Sequence, residues 1–190
     1  MKKQIVKAVF AYGKTSDPNV YAFGLNGGLP WKHVREDMEQ FRKDTTDCVL
    51  IMGSGTYKSL PCKLPNRIHI VLSDTGADLV AKNGDKPDYI FKSKSLQHAI
   101  QDVKNMYEND IAIIGGIGLI KDAIRDNLVD VVYSTYIALD EYDHDISVTS
   151  DELADLYATK NIDIDRVTIN KENADPFSNY IQFQKITIKK

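Results

Sequence analysis

The feature that most restricts how this chain can fold is a series of short apolar runs, each about the length of a β-strand, that recurs along the sequence. Such runs, bounded by polar residues, glycine or proline, are typical of strands buried in a sheet. Eight runs fit this description: Ile5 to Ala11, Cys48 to Met52, Ile68 to Leu72, Tyr89 to Phe91, Ile111 to Ile114, Val129 to Ile137, Ile162 to Ile169 and Tyr180 to Ile188. We therefore expect one large β-sheet to organise the chain.

Helical patterns lie between most of the early runs. Four helices are predicted: His33 to Asp44, Thr56 to Leu60, Leu96 to Tyr107 and Leu119 to Asp126. Strands that alternate with helices form a largely parallel sheet with right-handed crossovers. No helix separates the last two strands, which alternate in polarity, so an antiparallel hairpin is expected there. The predicted fold class is α/β, with a mostly parallel eight-stranded sheet, a C-terminal antiparallel hairpin and about four flanking helices.

Length and charge narrow the classes of function. The 190 residues suit a single domain spanning residues 1–190. The 24 basic and 27 acidic residues give a net charge of -3, which does not favour nucleic acid as a partner. The sequence has neither a signal-peptide pattern nor an apolar run of the ~20 residues that a membrane span needs. We expect a small-molecule partner and a cytoplasmic location, in the host cytoplasm if a phage encodes the chain.

Metal chemistry is not expected from the residue pattern. Cys48 and Cys62 have no C-x-x-C spacing, and the four histidines are scattered rather than paired at ligand intervals. The acidic stretch from Asp140 to Asp145 lacks the glycine and the terminal glutamate of a calcium-binding loop. We predict reduced structural thiols, a solvated acidic loop and no metal site.

Two adjacent acids, Glu36 and Asp37, stand near the start of the first predicted helix. Residues at intervals of three and four form a buried stripe on this helix: Trp31, Val34, Met38, Phe41 and Thr45. Asp37 lies beside this stripe and Glu36 projects nearly opposite, so Asp37 is the acid that can reach a pocket. The helix macrodipole also favours acids at this end, which leaves a purely structural role open for both.

Two strands end in glycine turns that lead into helices. One turn is Gly53-Ser54-Gly55-Thr56, and the other is Gly115-Gly116-Ile117-Gly118. The free amides at such helix starts suit a phosphate. Neither turn matches the dinucleotide or P-loop fingerprint, so one alone would be weak support for a phosphate site. Two in one small sheet suit a diphosphate held from both sides.

The region around the first helix resembles the signature of the dihydrofolate reductase family. In that signature, Leu-Pro-Trp is followed by an acid, then by Phe four residues later and Thr four residues after that. This chain has a glycine-rich loop ending in Leu29-Pro30-Trp31, followed by Asp37, Phe41 and Thr45. Further family-like segments follow in order: Ile51-Met52-Gly53, Thr56, Ser59-Leu60, Leu64-Pro65-Asn66-Arg67, Ile114-Gly115-Gly116 and Thr135. The chain is most similar in length and loops to phage and vertebrate members.

The resemblance implies a three-layer fold and an NADPH-dependent reductase that passes hydride to C6 of dihydrofolate, giving tetrahydrofolate for thymidylate synthesis and one-carbon metabolism. Antifolates would be its inhibitors, and it would be a monomer or a homodimer. Asp37 would bond the pterin amidine edge and Thr135 would steady it, with Leu29 and Trp31 completing the catalytic region.

The resemblance also implies the contact residues. The substrate would contact Val6, Ala8, Asp37, Met38, Phe41, Leu60, Leu64, Arg67, Ile114 and Thr135, with Arg67 on the glutamate α-carboxylate. The cofactor would contact Ala8, Phe23, Leu29, Gly53, Ser54, Gly55, Thr56, Leu72, Ser73, Asp74, Lys94, Gly115, Gly116, Ile117, Gly118, Leu119 and Ile120. A cis peptide bond is implied between Gly115 and Gly116.

The side that would bind the cofactor phosphates departs from the family pattern. Ser54 and Gly55 stand where many relatives carry a basic residue, and Gly118 stands where some bacterial members carry arginine. Asp74 follows Ser73, where relatives often have serine or arginine near the ribose 2′-phosphate. The candidate substitutes are Lys82, Lys92 and Lys94. We expect NADPH use with weaker discrimination against NADH than is usual in the family.

Two alternatives remain at this point. The pyrimidine reductase of riboflavin synthesis shares the fold, NADPH and a Gly-Gly turn, but its relatives lack the Leu-Pro-Trp loop with the Asp37 spacing. A non-catalytic ligand-binding or assembly protein with the reductase fold is the second, since fold alone does not fix function. The presence of Asp37, Arg67 and Thr135 argues against a decayed site.

Overall fold

The computed structural model describes residues 3–75, 78–171 and 179–189. In chain order, its elements are β1 (Val6–Lys14), β2 (Val20–Gly24), α1 (Arg35–Thr45), β3 (Val49–Gly53), α2 (Ser54–Ser59), β4 (Ile68–Ser73), β5 (Tyr89–Lys92), α3 (Leu96–Met106), β6 (Ile111–Gly115), α4 (Ile117–Arg125), β7 (Val131–Ala138), β8 (Ile146–Thr149), α5 (Ser150–Asp155), β9 (Ile162–Asn170) and β10 (Tyr180–Ile188).

The strands form one mixed sheet whose main path is β5-β4-β3-β6-β1-β7-β10-β9. The first six strands of this path run parallel to their neighbours, and β10 and β9 add an antiparallel hairpin. This arrangement confirms the predicted α/β class, the mostly parallel sheet and the hairpin. Residues 172–178, within the stretch expected to connect that hairpin, lie outside the described residues.

The described part of the chain contains ten strands and five helices, rather than eight strands and about four helices. β2 pairs antiparallel with β1, and β8 pairs antiparallel with β2. β8 is mostly exposed and α5 has no buried residue, so neither produces the apolar pattern on which the prediction depended. A capping box between Thr149 and Glu152 stabilises the start of α5 instead.

Apolar side chains pack on both faces of the sheet, giving the three layers that were expected. On one face, Val6, Ala8 and Ile120 belong to the core under α3 and α4. On the other, Val9 and Tyr57 belong to a core near α1 and α2. None of the helices in the described ranges is long and apolar enough to cross a membrane.

Helix α1 differs from the other long helices because its outer surface is almost entirely polar and its only buried residues are Asp37 and Thr45. Helix α1 therefore packs only partly against the sheet. The helices after the glycine turns, α2 and α4, each begin two residues earlier than predicted, directly after Gly53 and Gly116. Helix α1 and the starts of α2 and α4 therefore border one open space on the same side of the sheet.

Candidate active site

A cleft of about 1140 Å³ lies between α1, the sheet and the starts of α2 and α4. Its volume exceeds the range of roughly 300–1,000 Å³ that is usual for ligand pockets, so it has room for a large ligand or two adjacent ones. The structure brings many of the predicted site residues together in its lining: Phe23, Leu29, Trp31, Asp37, Met38, Phe41, Gly53, Gly55, Thr56, Leu60, Leu64, Ile114, Gly115, Gly116, Ile117 and Thr135.

Asp37 is the buried acid of this cleft. It lies in the first turn of α1 and is 5% exposed. Burial raises the pKa of its carboxyl to about 6, while the nearby Trp31 indole and Thr135 hydroxyl keep that pKa from rising further. The protein therefore compensates the charge of this buried carboxylate only in part, which leaves the carboxylate able to bind a polar ligand.

Glu36, the neighbouring acid, faces away from the cleft. Its carboxylate forms an ion pair with Lys171, which lowers the pKa of Glu36. Glu36 is absent from the lining of the cleft, although it is only one residue from Asp37. The two side chains therefore lie as helical phase predicts, with Asp37 in the cleft and Glu36 on the outer face of α1.

Trp31 is held by residues that lie far from it in the chain. Its ring meets Tyr142 edge-on with centroids 5.7 Å apart, and the backbone N–H of Tyr142 donates to the Lys14 carbonyl at 2.9 Å. A Cβ at Gly13 would lie 2.6 Å from Tyr142 and 3.1 Å from Trp31, so only glycine fits beneath these rings. The buried Trp31 Nε1 has no hydrogen-bond partner among the described residues, although the nearby indole lowers the pKa of Asp37.

The prediction that Val6 and Ala8 contact a ligand requires correction. Both are fully buried in the core on the opposite face, under α3 and α4. The β1 residues that line the cleft on this face are Val9 and Ala11, and Ala11 pairs with Thr135 across β7. Side chains alternate between the faces of a strand, so a shift of one residue moves the whole set to the other side.

The wall opposite α1 is formed by the segment that follows α2, which includes Leu60 and Leu64. Arg67 lies at the rim beside this wall rather than in the lining. Its Nη1 donates to Thr45 Oγ1 at 3.0 Å, and its Nε donates to the Pro65 carbonyl at 3.0 Å. These two bonds fix the guanidinium between α1 and the wall, where it can meet an anionic group at the mouth of the cleft.

The two glycine turns lie against each other at the other end of the cleft. Gly115 packs so closely on Thr56 that a Cβ there would lie 2.5 Å from the Thr56 hydroxyl oxygen. The Gly115–Gly116 peptide bond is cis, as the resemblance implied. By contrast, a Cβ at Gly55, Gly116 or Gly118 would meet nothing within 4 Å, so open space lies beside both helix starts.

Several predicted cofactor residues lie outside the lining of the cleft. Ile120 is fully buried in the core, which corrects its assignment as a contact residue, and Leu72 and Leu119 pack against the same core. Ser54 and Gly118 lie at the two helix starts beside residues that do line the cleft.

Ser73 and Asp74 lie at the end of β4, and the Asp74 carbonyl accepts a hydrogen bond from Ser93 Oγ at 3.3 Å. Lys94 is paired with Asp102 and lies over the Phe91 ring, 4.7 Å from its centroid. Lys82, in contrast, lines the cleft, and its backbone N–H donates to the Leu60 carbonyl. It therefore belongs to the wall after α2 and not to the glycine turns.

Comparison with known proteins now decides the family. The family model for dihydrofolate reductase matches residues 15–179. The chain belongs to the dihydrofolate reductase family. This membership favours the dihydrofolate reductase interpretation over the pyrimidine reductase alternative.

Individual relatives agree with the assignment to the dihydrofolate reductase family. The chain is 40% identical over 106 residues to dihydrofolate reductase type A10 of Escherichia coli, covering 55% of this chain and 54% of that protein. It is 33% identical over 139 residues to the dihydrofolate reductase of Schistosoma mansoni, covering 66% and 70%. The chain thus spans about half the length of the first of these relatives and about two thirds of the second.

A solved structure supports the fold over nearly the whole chain. Dihydrofolate reductase from Enterococcus faecalis, complexed with NADP(H) and RAB-propyl, superposes with a TM-score of 0.70 at 22% identity. The match covers 98% of this chain and 97% of that chain.

Among the residues that shape the site, sequence reasoning missed Val9, Ala11, Gly13 and Tyr142. The first two were missed because β1 is apolar on both faces and shows no alternation to read. Gly13 did carry a readable signal, since glycine inside a strand often marks a close approach of another group. Tyr142 carried none, because its contact with Trp31 joins segments more than a hundred residues apart.

Proposed function

We propose that this chain catalyses the NADPH-dependent reduction of dihydrofolate to tetrahydrofolate. The observation that carries the proposal is the buried Asp37 carboxyl, with a pKa of about 6, in a cleft that also reaches two open glycine turns. One end of the cleft is suited to a heterocycle with an amidine edge, and the other to a phosphorylated cofactor. Family membership supports pairing these two ligands in one reaction.

Asp37 would hold the pterin ring by accepting two N–H groups from its amidine edge, an arrangement that gives strong, charge-assisted hydrogen bonds. Met38, Phe41 and Leu60 would enclose the rest of the substrate and exclude water from it. The Asp37 carboxylate would stabilise positive charge on the ring as N5 takes a proton from solvent. Arg67 would bind the α-carboxylate of the substrate at the mouth.

The residues at the glycine turns fit a dinucleotide. The open space beside Gly55, Gly116 and Gly118 leaves room at both helix starts for a diphosphate, which the backbone amides there would bind. When bound, NADPH would supply the hydride that reduces C6 of the pterin. The close contact between Thr56 and Gly115 would set the distance between the two glycine turns.

The proposal is tested by following NADPH absorbance with dihydrofolate present, with and without an antifolate. We expect turnover that the antifolate suppresses. Asp37→Asn should lower kcat/KM by roughly 100-fold or more at neutral pH, as expected for loss of a group that stabilises transition-state charge. Glu36→Gln is the matched control, because it removes the adjacent charge on the outer face of the same helix and should retain activity.

Absence of turnover in the wild-type chain would reject the proposal and favour the non-catalytic alternative. Near-wild-type activity in Asp37→Asn would reject the role of Asp37 alone. The single-domain organisation, the cytoplasmic location and the choice between monomer and homodimer stay predictions.

A further inference from the structure

His69 is a fully buried polar residue that the proposed mechanism does not use. It lies on β4 with its side chain entirely excluded from solvent. Its Nε2 accepts a hydrogen bond from the backbone N–H of Leu64 at 3.1 Å. Its own backbone N–H donates to Asp88 Oδ2 at 2.8 Å, and its Nδ1 lies 3.6 Å from the same oxygen.

These contacts determine where the imidazole carries its proton. Because the Leu64 N–H can only donate, Nε2 must be unprotonated, and a neutral ring therefore carries its proton on Nδ1, toward Asp88. A charged ring would place a second N–H against that of Leu64 and break the bond.

The charged groups around His69 are Asp88, Asp85, Lys63 and Arg67, and the Tyr57 ring packs edge-on with its centroid 6.0 Å away. Burial lowers the pKa of His69, the positive charges of Lys63 and Arg67 lower it further, and Asp88 opposes them.

The charged groups around His69 also hold the segment that carries Leu64 in place. Lys63 Nζ forms an ion pair with Asp88 at 2.5 Å, and the Lys63 N–H donates to Asp85 Oδ2 at 2.9 Å. The Tyr57 hydroxyl donates to the Asp85 carbonyl at 3.1 Å. Consecutive backbone N–H groups, those of Lys63 and Leu64, are thus bound by buried or partly buried acceptors immediately behind the wall of the cleft.

We infer that His69 is a positioning residue for substrate binding: its neutral imidazole holds Leu64 in the wall that contacts the p-aminobenzoylglutamate tail of the substrate. This role rests on the proposed function. The pterin end of the cleft is built by Asp37 on α1 and by Trp31 on the preceding loop, and neither bonds to His69. Loss of the His69–Leu64 bond should therefore weaken binding of the tail and leave the pterin end in place.

The test compares two substrates in steady-state kinetics: dihydrofolate, and a dihydropterin that lacks the p-aminobenzoylglutamate tail. His69→Leu leaves the Leu64 N–H without an acceptor, so Leu64 can shift from its place in the wall, and we expect KM for dihydrofolate to rise about tenfold because a contact residue is displaced. We expect kcat, and KM for the tail-less substrate, to stay within about twofold. His69→Gln, whose carbonyl oxygen can occupy the place of Nε2, should restore KM for dihydrofolate.

Val71→Ala is the matched control for lost stability. Val71 is fully buried on the same face of β4, two residues from His69, and its side chain makes no hydrogen bond. This variant should lower the melting temperature. It should not raise KM for dihydrofolate relative to KM for the tail-less substrate.

The outcomes separate the two proposals. If the wild type reduces neither substrate, the proposed function fails and the positioning role falls with it. If the wild type is active but His69→Leu changes both KM values equally, or neither, only the positioning role is overturned. Should His69→Leu fail to fold, nitrogen NMR of the wild type decides, because a neutral ring protonated on Nδ1 near pH 7 supports the assignment and one protonated on Nε2 contradicts it.

Discussion

Asp37 is arranged for binding at the expense of the stability of the empty protein. The pKa of its carboxyl is raised from 3.8 to about 6, mainly by burial. Between these two pH values the folded state binds more protons than the unfolded state, so the free energy of unfolding falls as pH rises through this window. A shift of this size corresponds to about 3 kcal/mol at full ionisation.

The first prediction follows from that sign. In the unliganded protein, Asp37→Asn should raise the free energy of unfolding by about 1–3 kcal/mol at about pH 8, where the wild-type carboxyl is charged. At about pH 4 the gain should nearly vanish, because the folded wild-type carboxyl is then neutral. Urea unfolding of both proteins at the two pH values measures the difference. A variant that is less stable than wild type at the higher pH would show that the carboxylate is well compensated in the fold.

The second prediction concerns charges near the cofactor phosphates. Lys94 is already paired with Asp102, which leaves Lys92, exposed on β5 opposite Ser73, as the neighbouring cation. Asp74, exposed at the end of β4, places a carboxylate close to it. We expect the ratio of kcat/KM for NADPH to that for NADH to be low for the family. Asp74→Asn should raise this ratio several-fold by removing a repulsive charge.

Asp78→Asn is the control for that prediction, because Asp78 is a nearby exposed acid that pairs only loosely with Lys86, at 3.5 Å. A strong preference for NADPH in the wild type, unchanged by Asp74→Asn, would contradict it.

At the scale of elements, the site depends on contacts between segments rather than on any one helix or strand. β1 supplies Gly13 beneath Trp31, and the loop after β7 supplies Tyr142 beside it. β8 holds β2, which leads into the glycine-rich loop that ends at Trp31. The short exposed elements missed in the apolar pattern thus support the loop that borders the cleft.

The third prediction tests this support. Gly13→Ala places a Cβ 2.6 Å from Tyr142 and 3.1 Å from Trp31, so the rings must move away from the strand. We expect kcat/KM to fall roughly tenfold, because displacement of a group beside a reacting centre by a fraction of an ångström impairs positioning.

Thr149→Ala is its control, since it removes the capping box of α5 and should cost about 1 kcal/mol of stability with little change in kcat/KM. If both variants lose activity in proportion to their stability, the effect of Gly13 is not specific to Trp31.

At the scale of the whole molecule, the two apolar cores are shared through the same central strands. β1, β3, β4 and β6 each contribute side chains to the core under α3 and α4 and to the core near α1 and α2. Neither core can open without disrupting strands that the other needs. This sharing is the physical reason to expect one domain.

The fourth prediction is that thermal unfolding follows a single transition. Calorimetric and van't Hoff enthalpies should agree within error, as for a two-state domain. Saturating NADPH should raise the melting temperature without splitting the transition, because a ligand that binds only the folded state stabilises it as a whole. Two resolved transitions would show that the cores unfold separately.

The sequence by itself determined the local features of this protein. The choice of Asp37 over Glu36 depends on helical phase, and the two glycine turns depend on residues adjacent in the chain. The six parallel strands were readable as short apolar runs, and the two strands of the C-terminal hairpin were readable from their alternating polarity. In each case the signal lies within a few residues of the feature that it predicts.

Only the tertiary structure decided which face of β1 meets the cleft and how distant side chains meet. A strand buried on both faces shows no alternation, so Val9 and Ala11 could not be distinguished from Val6 and Ala8. The exposed β8 and α5 depend on pairing and capping rather than burial. The contacts of Trp31 with Gly13 and Tyr142, and of His69 with Asp88, exist because the fold brings those segments together, and spacing along the chain does not encode them.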